Sequence, residues 1–219
     1  MIHRITRASV RSAISLAIVT FVSSTGVAVA NAADAPADNE ATFQEFVEGM
    51  GVDSASATVL TAKFDELPAA EQERLADVIE TDPLSVLDFQ DDGAAPTIAP
   101  AGGGLSVQAY ATASKYTATY PVNATLFGIT TGTFNLRYTF EATSNAVTRN
   151  LECTGWFTGT AGVWTVDSRS SQYISSGVGT CTVTHKMSLL YKGSSFTANK
   201  QQQLNYRGTT LVSGGLKNI

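Results

Sequence analysis

The chain has 219 residues, with 19 Asp and Glu against 14 Lys and Arg, a net charge of −5, two cysteines and two histidines. That length holds one or two domains, and so few Cys and His argue against a metal-ligating framework and suggest no cofactor. The basic residues are spaced and come with no recognition helix or RNA-binding signature, so no nucleic-acid partner is expected.

The charges are nevertheless sorted along the chain. Sixteen acids between Asp34 and Asp92 meet two bases, Lys63 and Arg74, making this segment −14. From Leu105 onward three acids, Glu141, Glu152 and Asp167, meet nine bases, making the rest +6. Two electrostatically opposite pieces share one polypeptide.

Residues 1–32 read as a secretory signal. Arg4, Arg7 and Arg11 precede the apolar stretch Ala13 to Val22, and small residues lead to cleavage sequences ending at Ala30 or Ala32. Ser23, Ser24, Thr25 and Gly26 interrupt the apolar run, so no stable membrane span is expected. No Arg-Arg pair precedes that run and no cysteine follows the cleavage site, which points to general secretion without a lipid anchor. In an exported chain, Cys153 and Cys181 most simply form one disulfide, stabilising the fold by roughly 3–4 kcal/mol in the chain-entropy model.

Residues 33–89 carry helical periodicity. Asn39 is placed to cap a helix bearing Phe43, Phe46, Val47 and Met50 on one face; Asp53 or Ser54 caps a second bearing Ala57, Leu60, Phe64 and Leu67. Pro68 opens a third with Leu75, Val78 and Ile79, and Asp82-Pro83 starts a last turn carrying Leu84, Leu87 and Phe89. The acids fall on the complementary, solvated faces. Three or four short helices bury little surface alone, so this segment is expected to dock on its own chain or on a partner. Residues 90–108 lose all periodicity, and their Pro and Gly clusters read as a linker.

From residue 109 to 219 period two replaces period 3.6, and the fold class is mainly β: an antiparallel sandwich or barrel of seven or eight strands. Strands are expected near 110–120, 123–130, 133–142, 147–157, 163–174, 180–191, 195–206 and 209–212. Phe134, Leu136, Tyr138 and Phe140 share one inner face, and Cys181, Val183, His185, Met187, Leu189 and Tyr191 another. A meander with turns at Ser144-Asn145, Gly159–Gly162 and Ser175–Val178 sets Arg137 and Arg169 on either side of Glu152, and Asp167 opposite Lys186. In one flat sheet Cys153 and Cys181 would then lie about 9–10 Å apart, too far for a disulfide. A chain that crosses to a second sheet between them resolves the conflict and favours the sandwich.

The catalytic inventory is sparse. Glu141, set opposite Thr148, is the β segment's one carboxylate without a basic neighbour in this register, and a glycosidase needs two in one cleft. Ser168 falls across from His185, but Asp167 points outward, leaving a Ser–His pair without an orienting acid. Trp156 shares the outer face with Asn150, Glu152 and Thr154. With Asn150, Arg137 and Arg169 it forms a candidate sugar-binding surface. The excess positive charge arises after Asp167, and Lys192, Lys200, Arg207 and Lys217 are candidate contacts for the acidic helices or for an anionic extracellular surface or glycan.

The sequence therefore implies an exported, non-enzymatic, bacterial β-sandwich protein with a binding or structural role. A second reading makes the acidic segment a pro-region masking a toxin or antimicrobial, and a third makes the chain a hydrolase using Glu141 or His185.

Overall fold

In the computed structural model the described residues are 35–90, 96–101, 113–159 and 164–219. Residues 1–34 with the signal segment, 91–95 and 102–108 of the expected linker, 109–112 around the start of the first expected strand, and 160–162 of an expected turn with Val163 after it lie outside them. By its contacts the chain divides after Ala32, and all the described residues belong to the unit Ala33–Ile219.

Three short helices come first. α1 (Ala35–Met50) begins ahead of Asn39, which therefore sits inside the helix and not at its cap. α2 (Ser54–Asp65) is capped by Asp53, whose carboxylate accepts from the Ala55 and Ser56 amides at 3.0 Å each. α3 (Ala69–Thr81) starts after Pro68, whose fixed φ suits a helix entry. Phe43, Phe46, Val47, Met50, Leu60, Phe64 and Ile79 are fully buried, with Phe43 stacked on Phe64 at 4.4 Å.

Two antiparallel sheets follow. The first holds β1 (Asp88–Gln90), β2 (Thr97–Pro100), β3 (Ser114–Leu126), β4 (Ile129–Ala142) and β5 (Val147–Gly159). The second is a meander of β6 (Trp164–Ser175), β7 (Val178–Tyr191), β8 (Ser194–Arg207) and β9 (Thr210–Asn218). The end of the expected helical segment and part of the expected linker thus supply edge strands, with Phe89 in a strand and not in a helical turn: β1 pairs with Asn123–Thr125 and β2 with Tyr116–Thr119 along the same side of β3. Pro121 falls in the gap between those two pairings, where a strand residue without an N–H leaves no donor missing from the ladder. β3 therefore runs unbroken through Pro121, where two separate strands were expected. The first hairpin turns instead at Phe127-Gly128, with φ of 50° and 77°. Two consecutive positive φ values match the right-handed twist of a two-residue hairpin.

The Ser144-Asn145 turn sets Ala142 opposite Val147, as expected, but the register then slips at two bulges on β5. Thr148 and Leu151 are the extra residues, so Glu152 faces Thr139, and Arg137 faces Thr154 instead of Glu152. Between the bulges the faces exchange, and Asn150 pairs with the inward residue Phe140. β5 and β6 belong to different sheets, so Arg169 has no place beside Glu152; it pairs with Thr184. The Asp167–Lys186 and Ser168–His185 pairings are present as expected.

This crossover lets the Cys153–Cys181 disulfide join β5 to β7 across the sandwich, with a Cα separation of 5.5 Å. Two residues along each strand, the bare Gly155 meets Val183: a Cβ there would lie 2.2 Å from Val183 Cγ1. Glycine thus allows the sheet approach that the disulfide bridges.

Side chains between the sheets form two apolar clusters. One, around Tyr120, Leu136, Tyr138, Phe140, Val183, Leu204 and Tyr206, lies wholly within the sandwich. The other joins Phe43, Phe46, Phe64 and Ile79 of the helices to Leu126, Phe134, Met187, Leu189 and Tyr191 of the strands. The helices therefore complete one end of the sandwich core. Along β7 and β8 the two clusters are separated by the buried polar residues His185 and Gln202.

Candidate functional site

The four basic residues singled out near the C-terminus go to three different places. Lys192 sits in the β7–β8 turn, where its Nζ reaches Glu80 of α3 at 3.0 Å and Glu45 of α1 at 3.6 Å. Beside it, Tyr191 donates to the Thr42 carbonyl and packs edge-on to Phe46. Arg207 is exposed at the far end of β8, opposite Val178 and Thr210. Lys200 and Lys217 border one cavity, Lys200 from the inner face of the second sheet and Lys217 from the outer face of its edge strand.

These two lysines line a cavity of about 430 Å³ between the edges of the two sheets, bounded by Leu84, Leu87, Asp88, Phe89, Leu216 and Asn218. Lys200 is inward-facing on β8, and Lys217 lies opposite Gln201 on β9. The disulfide joins the sheets on the β5 side; here, on the β1 and β9 side, they leave a cleft.

Lys200 is 7% exposed. Its ammonium donates to Asn218 Oδ1 at 2.5 Å and lies 3.5 Å from the centroid of the Phe89 ring. An ammonium has three donors, and a ring face and a neutral amide do not balance a buried charge. Burial accordingly pushes the Lys200 pKa down. Asp88 borders the same cavity, yet among the described residues no ion pair joins it to either lysine. Chemically, the arrangement suits a ligand that brings its own carboxylate.

The other expected surface is divided. Arg137 and Trp156 meet on the outer face of the first sheet, the guanidinium 5.1 Å from the indole, which covers one face of that ring. Asn150 is turned to the inner side by the bulges and accepts from the Tyr138 hydroxyl at 2.5 Å. Arg169 points out from the second sheet, on the opposite side of the sandwich. Around Arg137 the outer face is a lattice of threonines that bond one another, as in Thr97 to Thr119 at 2.7 Å and Thr117 to Thr139 at 3.1 Å.

Glu141 lies between Lys115 and Arg149 on the neighbouring strands, correcting the register that left it without a basic neighbour. Ser168 and His185 do meet, Oγ to Nδ1 at 2.8 Å, while His185 Nε2 lies 3.1 Å from Gln202 Oε1. Because Gln202 Nε2 donates to the Tyr120 carbonyl at 2.6 Å, its Oε1 accepts, and the proton of neutral His185 is on Nε2. Ser168 therefore donates to Nδ1. The orienting group absent from the sequence reading is Gln202, one strand beyond His185. His185 itself is fully buried, and burial holds its pKa down. The chain of bonds runs to two backbone carbonyls, Tyr120 and Phe134, and ties the sheets together.

Phe89 and Asn218 could not be linked to Lys200 from the sequence, since only the β1 pairing and the full length of β9 bring them to it. No protein-family model, curated protein or solved structure matches this chain.

Proposed function

We propose that this is an exported, non-enzymatic binding protein of bacterial origin whose β1–β9 cleft takes a carboxylate-bearing glycan outside the cell. The observation that carries the reading is Lys200. A lysine this buried, with no carboxylate partner among the described residues and facing a cavity shared with Lys217, is costly to the fold and is compensated by a ligand anion. Export rests on residues 1–32, and the single disulfide is compatible with an oxidising compartment. Among the described residues no helix is long and apolar enough to cross a membrane.

The masking pro-region loses support because α1–α3 contribute Phe43, Phe46, Phe64 and Ile79 to the same core as β4 and β7. The hydrolase reading loses support because Glu141 has basic neighbours on both sides and the Ser168–His185 pair is bonded onward into the sheets.

Retention on polygalacturonate-coated beads and on neutral amylose beads, at low salt, tests the proposal. The protein is expected on the acidic beads, and Lys200→Met is expected to reduce that retention at least tenfold. Equal retention on both matrices, or no effect of Lys200→Met, would sink it.

A further inference from the structure

The cavity does not end at Lys217. Leu216 and Lys217 also line a second, smaller depression of about 200 Å³ that continues along β9 over the outer face of β8. Gln201, Gln203 and Asn205 form its floor on β8, with Ser213, Gly214 and Gly215 beside them on β9. Gly215 stands opposite Gln203, and a Cβ built there would find nothing within 4 Å. The missing side chain is what opens the depression. Asn205 is already engaged, donating to Ser213 Oγ at 2.8 Å and accepting from Thr180 Oγ1 at 2.6 Å. Gln201 and Gln203 have no side-chain hydrogen bond to any described residue.

We infer that the cleft and this depression form one track for a linear oligosaccharide, with an acidic unit at Lys200 and Lys217 and neutral units along Gln201 and Gln203. This rests on the cleft's being a carboxylate site and extends it to a chain. Two free primary amides, each able to donate and accept, match the paired hydroxyls of a sugar. No base lines the track beyond Lys217, so a polymer charged at every unit gains nothing there. A peptide is the weaker fit along the depression, because Leu216 is its one large apolar side chain and peptide grooves read side chains in apolar pockets.

Titration calorimetry with glucuronate, a neutral xylo-oligosaccharide and a xylo-oligosaccharide bearing one glucuronate tests the inference. The acid-bearing oligosaccharide is expected to bind at least tenfold more tightly than either simpler probe. Gly215→Val fills the depression with a residue that strands favour, in open space, and is expected to remove that gain while leaving glucuronate binding unchanged. If glucuronate binds but the longer acid gains nothing, or keeps its gain in Gly215→Val, the track is wrong and the cleft stands. If the neutral chain binds as well as the acidic one, is lost in Gly215→Val and ignores Lys200→Met, the track stands and the carboxylate site is wrong. Absence of binding by all three probes, or tighter binding of a polar hexapeptide with a free C-terminal carboxylate, overturns both.

Discussion

At the cleft, one residue trades stability against binding. The Lys200 ammonium is held away from water with a ring and an amide for company. Lys200→Met places an apolar chain end beside Phe89 and removes the buried charge, so it is expected to stabilise the ligand-free protein by about 1 kcal/mol. Urea denaturation at pH 7 measures this, and a destabilised variant would show that the amine is structural. The pH dependence has a definite sign. The folded-state pKa lies below the ordinary 10.5, so between the two values the unfolded chain holds more protons, and stability rises with pH across that window. His185 acts the same way lower on the scale. Its folded-state pKa lies below 6.5, so its contribution is complete above pH 6.5 and declines as the pH falls towards the folded value. Denaturation midpoints from pH 7.5 to 5.5 should fall for the wild type and fall less for His185→Gln. At Gly155 any side chain enters Val183; Gly155→Ala is expected to cost about 1–3 kcal/mol, read as a lower thermal midpoint.

Among the elements, those with strong local signals were legible. The alternation in β4 and β7 placed Phe134, Leu136, Tyr138, Phe140 and every inward residue from Cys181 to Tyr191 correctly, because period two is a property of the strand itself. The need for a second sheet followed from disulfide geometry and does not require knowing the fold. What escaped depends on partners distant in sequence. Pro121 read as a break because nothing local reveals that β1 and β2 leave a gap opposite it. Phe127 read as strand because a bulky residue at positive φ is rare, although the following Gly128 was the available clue. The two β5 bulges preserved a correct turn yet moved Glu152 away from Arg137 and turned Asn150 inward, so a surface proposed from alternation dispersed. β9 extends past Ser213-Gly214-Gly215 because Gly214 lies close over Leu204, where a Cβ would come within 2.9 Å. The candidate site lay in that extension, and of its residues Lys200 and Lys217 were visible beforehand as uncompensated charge.

For the whole molecule, the acidic and basic pieces are one folding unit joined by apolar contact, with charge contributing little. Lys192 is well exposed, as are Glu45 and Glu80, so this triad is worth under about 1 kcal/mol. Burial of a single large apolar side chain such as Phe46 is worth about 1.5–3 kcal/mol. Cutting the backbone within residues 91–95 is therefore expected to leave the two fragments together. They should co-elute in size-exclusion chromatography at 1 M salt, conditions that screen ion pairs. Separation of an intact helical fragment would revive the pro-region.

The contact between Tyr191 and Thr42 spans 149 positions of chain. During synthesis the helices emerge long before β7, so their apolar faces have no permanent partner for most of that passage. A segment of −14 is suited to the wait: self-repulsion keeps it soluble and weakly structured while the strands are still being delivered. The sorted charge thus falls on the part of the protein that is made first, where self-repulsion opposes premature collapse until later hairpins give it a surface on which to fold.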